Sequence, residues 1–165
     1  MKLEHAQRYR LYTHNDSCSV LGLDDVRHFT APATMHVPKL YVVSRNGIPV
    51  YVGITSQSMA TRLRLGFQAD GKHGYHGYRW RNQRRLTLDV WRLAGASPKR
   101  ALAELECIEA EVVFLTRTKF DQWPEFQTEI HFHQSTSFHR NAAKRIIQYF
   151  SETPPSNKTG CARQR

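Results

Sequence analysis

A chain of 165 residues, 40% hydrophobic and 11% aromatic, is long enough to bury one core and short for two. Its 24 Lys and Arg against 14 Asp and Glu leave a net charge of +10, which favours polyanionic partners, above all nucleic acid, through counterion release. The apolar runs are too short to span a bilayer, no apolar stretch follows the charges of the N-terminal MKLEHAQRYRLY, and the 3 cysteines are scattered; these features exclude a membrane span, a secretory leader and a disulfide frame, and point to a reducing, cytoplasmic setting.

In chain order, residues 1–37 carry the weakest periodicity. Residues 21–29 are expected to form a short helix started at Asp24. Pro32 and Pro38 break the region, and Ala31-Pro-Ala-Thr34 reads as a linker. This part is expected to be an N-terminal extension that packs on a hairpin and contributes to target recognition.

The hairpin is the clearest signal in the chain. LYVV at 40–43 and VYVGI at 50–54 are rich in β-branched and aromatic residues, and Asn46-Gly47 between them accepts the positive φ of a tight turn. Tyr41 and Tyr51 stand at matching places on its two arms, and Gly53 follows the second. Thr55, Ser56 and Ser58 offer hydroxyl caps for a helix carrying Arg62. Residues 68–77 form a Gly-rich loop with His73 and His76. Residues 78–85 are expected to be a helix with a basic face. There Arg79, Arg81, Arg84 and Arg85, preceded by Arg64, alternate with Tyr78 and Trp80 beyond Tyr75. Arginine interleaved with aromatics suits phosphate contacts and base stacking.

Residues 86–93 alternate as a strand, with Leu86, Leu88 and Val90 facing one way and Trp91 the other. Ser97-Pro98 then opens the best helix, with Ser97 as cap and Pro98 at the first position. Ala101, Leu105, Ile108, Val112 and Leu115 form its apolar stripe, and it ends near Thr118. Glu111 sits at the margin of that stripe, where a partly desolvated carboxylate suits a metal ligand. Residues 123–133 read as a turn followed by an alternating strand, 141–150 as a closing helix with Ala142, Ile146, Ile147 and Phe150 inward, and 151–165 as a basic, disordered tail.

The order Tyr41, Tyr51-Val52-Gly53, Arg62, Glu111 resembles the GIY-YIG nuclease superfamily. Its two triplets stand here as Lys39-Leu40-Tyr41 and Tyr51-Val52-Gly53. Lys39 replaces the first glycine, Leu40 the isoleucine, and Gln127 stands where an asparagine is expected. The resemblance implies an α+β fold over residues 38–150, with a central three-stranded, mostly antiparallel sheet flanked by helices, the extension 1–37 before it and the tail 151–165 after it. It implies a DNA endonuclease. Tyr41 would orient or deprotonate water, its pKa lowered by Arg62, with Tyr51 in support. Arg62 would hold the phosphate, His76 would join the site, and Glu111 would hold Mg²⁺ or Mn²⁺, with Glu109 the competing assignment. Arg64, Arg79, Arg81, Arg84 and Arg85 would contact DNA. Monomer and homodimer are both compatible with the sequence. The alternative reading is an inactive basic nucleic-acid-binding module on the same scaffold. A third, a ribosome-associated RNA binder, accounts for the charge but not for the tyrosine–arginine–glutamate order.

Overall fold

The computed structural model describes residues 1–14, 17–70 and 77–152. Along the chain run β1 (Lys2–His14), β2 (Ser17–Gly22), β3 (Lys39–Arg45), β4 (Ile48–Thr55), α1 (Met59–Gln68), a 3-10 turn (Arg79–Asn82), β5 (Leu86–Ala94), α2 (Pro98–Phe120) and α3 (Ser137–Glu152). The strands form one antiparallel, 5-stranded sheet in the order β2-β1-β5-β3-β4. The protein is therefore α+β, as expected, but its sheet has 5 strands rather than three.

The two extra strands come from the N-terminal segment. It pairs with β5 rather than with the hairpin: β1 runs along β5 for nearly its whole length, Lys2 opposite Ala94 through Leu11 opposite Leu86, while Tyr9, Leu11 and Ala33 share a core with Tyr41, Val43 and Val50 of the hairpin. No helix forms over 21–29, where β2 ends at Gly22 and the chain turns irregularly. Nor does 78–85 form a regular helix. Only the 3-10 turn is present, and Arg85 beyond it takes a positive φ of 58°. The strand expected after the turn within 123–133 is absent, and residues 121–136 have no helix or strand.

Both faces of the sheet are covered, because successive side chains on a strand point to opposite sides. On one face Leu40 and Val42 of β3, Val52 of β4, and Trp91 and Leu93 of β5 pack against α2 and α3. On the other, Tyr41 and Val43 of β3 and Leu86, Leu88 and Val90 of β5 pack with Met59, Leu63 and Phe67 of α1 and with Tyr78 and Trp80. Each fully buried Leu, Val or Phe contributes about 1.5–3 kcal/mol to this three-layer arrangement. Pro98 sits in the first turn of α2 as read from the sequence, although Ser97 makes no side-chain cap bond. Ser58 does cap α1, its Oγ accepting from the Thr61 N–H at 3.3 Å. In α3, Ala142, Ile146, Ile147 and Phe150 are buried as expected.

One buried carboxylate ties three elements together. Asp89 of β5 is fully buried and faces α3. Arg8 of β1 donates to both its oxygens (Nε at 2.9 and 3.2 Å, Nη2 at 3.1 Å), His5 Nε2 lies 3.0 Å away, and the Tyr149 hydroxyl donates at 3.1 Å. This many partners offset the desolvation of a buried charge. They also pin β1 to the sheet centre.

Candidate active site

The hairpin places both tyrosines on the α1 face. Tyr41 lies opposite Gly53, and Tyr51 lies opposite Val43. Gly53 is where a side chain would intrude: a Cβ there would sit 2.7 Å from the Tyr41 phenol oxygen and 2.9 Å from Tyr51 Cε1. The missing side chain gives the two rings room, with centroids 6.0 Å apart.

Arg62 comes from α1, three residues after buried Met59 and four before buried Gly66, so it lies on the inward flank of that helix. Its Nε–H donates to the Tyr41 hydroxyl at 3.3 Å. A third tyrosine, Tyr78, closes the group. Its hydroxyl is 2.8 Å from that of Tyr41, its ring packs edge-on to Tyr51 at 5.5 Å, and the Arg62 guanidinium carbon lies 5.7 Å from its ring centre.

Tyr41 is completely buried. Burial first, and the Tyr78 phenol second, push its pKa well above the usual tyrosine range, and the opposing pull of Arg62 does not overcome them. The expectation that nearby cations lower this pKa is therefore not met. Tyr51 is shifted upward for the same leading reason, burial, but stays partly exposed. Tyr41 thus acts as an anchor for Arg62, and Tyr51 is the less buried of the two tyrosines.

The carboxylate whose charge acts on this group is Glu109 of α2. It stands four residues after buried Leu105 and three before buried Val112, so it occupies the inner stripe of α2, which packs on β3 and β4. Burial and the charge of Glu106 raise its pKa to about 7, against the opposing attraction of Arg62. Glu109 in turn bears on Tyr51. Glu111 lies on another flank of α2, where its charge acts on Cys107. The register of Leu105 and Val112 thus favours Glu109 over the preferred Glu111. Glu106 is the neighbour that sequence reasoning missed. Its Oε2 lies 3.7 Å from His133 Nε2.

His76 and His73 fall outside the described residues. Gln127 has a different task from an active-site amide: its Oε1 accepts from the Val52 N–H at 3.0 Å and its Nε2 donates to the Glu129 carbonyl at 2.9 Å. Together with Phe126 N–H donating to Val50 O at 2.9 Å, it covers the outer edge of β4. Lys39, in place of a glycine, is buried and donates to the carbonyls of Met35, Val37 and Gln57, each at 2.7 Å, and burial lowers its pKa to about 8.

The basic segment divides. Arg64, Arg79, Arg84 and Arg85 are exposed. Arg81 instead donates to the Phe67 and Ala69 carbonyls at the end of α1, at 3.3 and 3.5 Å. The aromatics are not stacking platforms: Tyr78 is 2% exposed and Trp80 0%, and they stack on each other at 4.5 Å. Among the described residues, the exposed aromatics are Phe132, Tyr12, Phe114 and Trp123.

Among the described residues, no group of three or more His, Cys, Asp or Glu is placed to hold a metal. No helix among them is long and apolar enough to cross a membrane. No protein-family model, curated protein or solved structure matches this chain.

Proposed function

We propose that the protein is a metal-dependent DNA endonuclease on a GIY-YIG-like scaffold. The observation that supports this reading best is the convergence of Tyr41, Tyr51 and Arg62 from β3, β4 and α1, with the charge of Glu109 acting on Tyr51 and Arg62. This reading takes strands β4-β3-β5, with α1 on one face and α2 on the other, as the three-stranded core of a 5-stranded sheet, and β1 and β2 as additions to it.

In this reading the Arg62 guanidinium binds the scissile phosphate, its plane set by the Nε bond to Tyr41. Tyr51, at the open side of the cluster, orients the attacking water. Glu109 is the residue that would hold a divalent cation, with Glu106 beside it. The donor set fits Mg²⁺ or Mn²⁺, which needs only one or two protein carboxylates when substrate phosphate and water complete its shell. Such a cation would offset charge on the leaving oxygen. It would also relieve the burial and repulsion that hold Glu109 partly protonated near neutral pH. Exposed Arg64, Arg79, Arg84 and Arg85 supply phosphate contacts along the duplex.

A second reading, an inactive DNA-binding module on this scaffold, is favoured by one observation: Tyr41 is 0% exposed and cannot touch a water molecule. Incubation with supercoiled plasmid separates the two. The nuclease reading expects nicked or linear product with Mg²⁺, none with a chelator, and none from Arg62→Ala. Salt-sensitive binding without product under every metal condition would select the inactive module.

A further inference from the structure

The geometry points to Tyr78 as a positioning residue for Arg62, acting through Tyr41; this rests on the nuclease reading for its catalytic consequence, though not for its structural one. Three contacts converge on this one residue. Its hydroxyl is 2.8 Å from that of Tyr41, the same oxygen that accepts from Arg62 Nε. Its ring lies within cation–π range of the guanidinium, 5.7 Å from the Arg62 carbon. Its backbone N–H donates to the Gly66 carbonyl at 2.9 Å, which locks it to the helix that carries Arg62.

The fold makes room for this side chain in particular. Gly66, one turn after Arg62, has no side chain, and a Cβ there would lie 2.1 Å from Tyr78 Cε2. The preceding Gly77 takes a positive φ of 66°, a conformation glycine adopts without strain, and this delivers Tyr78 onto α1. Stacking on Trp80 at 4.5 Å fixes the ring from behind. Tyr78 is 2% exposed, so it touches no substrate. What it can do is orient the Tyr41 hydroxyl and limit the rotation of the guanidinium. A small misplacement of a phosphate-binding group lowers turnover by up to about 100-fold without weakening ground-state binding.

The test uses the full-length protein and the variants Tyr78→Phe and Tyr41→Phe, each of which removes one hydroxyl and keeps the ring. The first readout is hydrogen exchange of the Arg62 Nε–H, followed by ¹⁵N NMR and assigned by its loss in Arg62→Lys. Both variants are expected to speed this exchange, and the double variant is expected to be no faster than the faster single. The second readout is plasmid cleavage, where Tyr78→Phe should lower kcat by about 10- to 100-fold with KM within about twofold of wild type. Unchanged exchange in Tyr78→Phe, with its folding verified by thermal melting, overturns the proposal, as does a fall in cleavage that lies wholly in KM. If the wild-type protein cleaves nothing, the nuclease reading fails while the exchange measurement still decides whether Tyr78 holds Arg62.

Discussion

Glu109 is a half-buried carboxylate on the inward flank of α2. Burial and Glu106 raise its pKa to about 7, well above an ordinary glutamate, so the folded chain favours the neutral acid. The sign follows from proton linkage. Between about pH 4.3, the ordinary glutamate value, and 7 the folded state binds more protons than the unfolded chain, so stability falls as pH rises through this window. The loss is complete above pH 7. Glu109→Gln removes that loss. We expect it to raise stability by about 1–2 kcal/mol at pH 8, allowing for partial exposure, and to change little at pH 4. Urea unfolding at the two pH values checks this; a variant destabilised at pH 8 would contradict the burial of this carboxylate. The same group was hard to identify from sequence. Counting from Ile108 and Leu115 brings Glu111 to the margin of the apolar stripe, whereas buried Leu105, Val112 and Thr116 flank Glu109 at helical spacing and Leu115 is only half-buried. The two assignments differ by helical phase, two residues on a repeat of 3.6.

At the scale of the elements, the β3–β4 hairpin was readable because Asn46-Gly47 leaves few other options; both residues take positive φ, 54° and 81°. Strand β1 was not, and a bulge is the reason. Leu3 and Tyr9 are both odd-numbered, yet Leu3 joins the core under α2 and α3 while Tyr9 and Leu11 join the core under α1. The register shift between His5 and Gln7 turns the strand over midway and scrambles its alternation. Residues 121–136 misled for another reason. Their alternating residues cover the β4 edge through Gln127 and Phe126 rather than pairing as a strand. An uncovered edge would leave the Val52 N–H without its amide partner. Gln127→Ala is therefore expected to lower stability by about 1 kcal/mol, read by thermal or urea unfolding. It should also leave DNA binding at low salt unchanged, since this amide holds backbone and not phosphate. A loss of DNA affinity with unaltered stability would give Gln127 the ligand role its position first suggested.

Across the whole molecule, the charge of +10 is divided between structure and surface. Arg8 is tied to buried Asp89, Lys39 to three carbonyls and Arg81 to the end of α1. Arg79 and Arg84 are exposed. Composition alone could not make this division, because burial of an arginine depends on which carbonyls and carboxylates the tertiary fold brings to it. The division makes a prediction. In duplex-DNA titrations at several salt concentrations, Arg79→Ala and Arg84→Ala should each reduce the slope of log affinity against log salt by about 0.9, without loss of stability. Arg81→Ala should act mainly on stability. An unchanged slope for both exposed variants would remove this face as the DNA contact.

Catalysis on this scaffold requires the Glu109 carboxylate, whose charge acts on Arg62 and Tyr51, to serve the same site. Plasmid cleavage in Mg²⁺ by Glu109→Gln and Glu111→Gln, side by side with wild type, tests that requirement most directly. Loss of product with Glu109→Gln, at least about 100-fold in rate, and near wild-type cleavage with Glu111→Gln is the predicted result. Full cleavage by Glu109→Gln, or loss confined to Glu111→Gln, would contradict it.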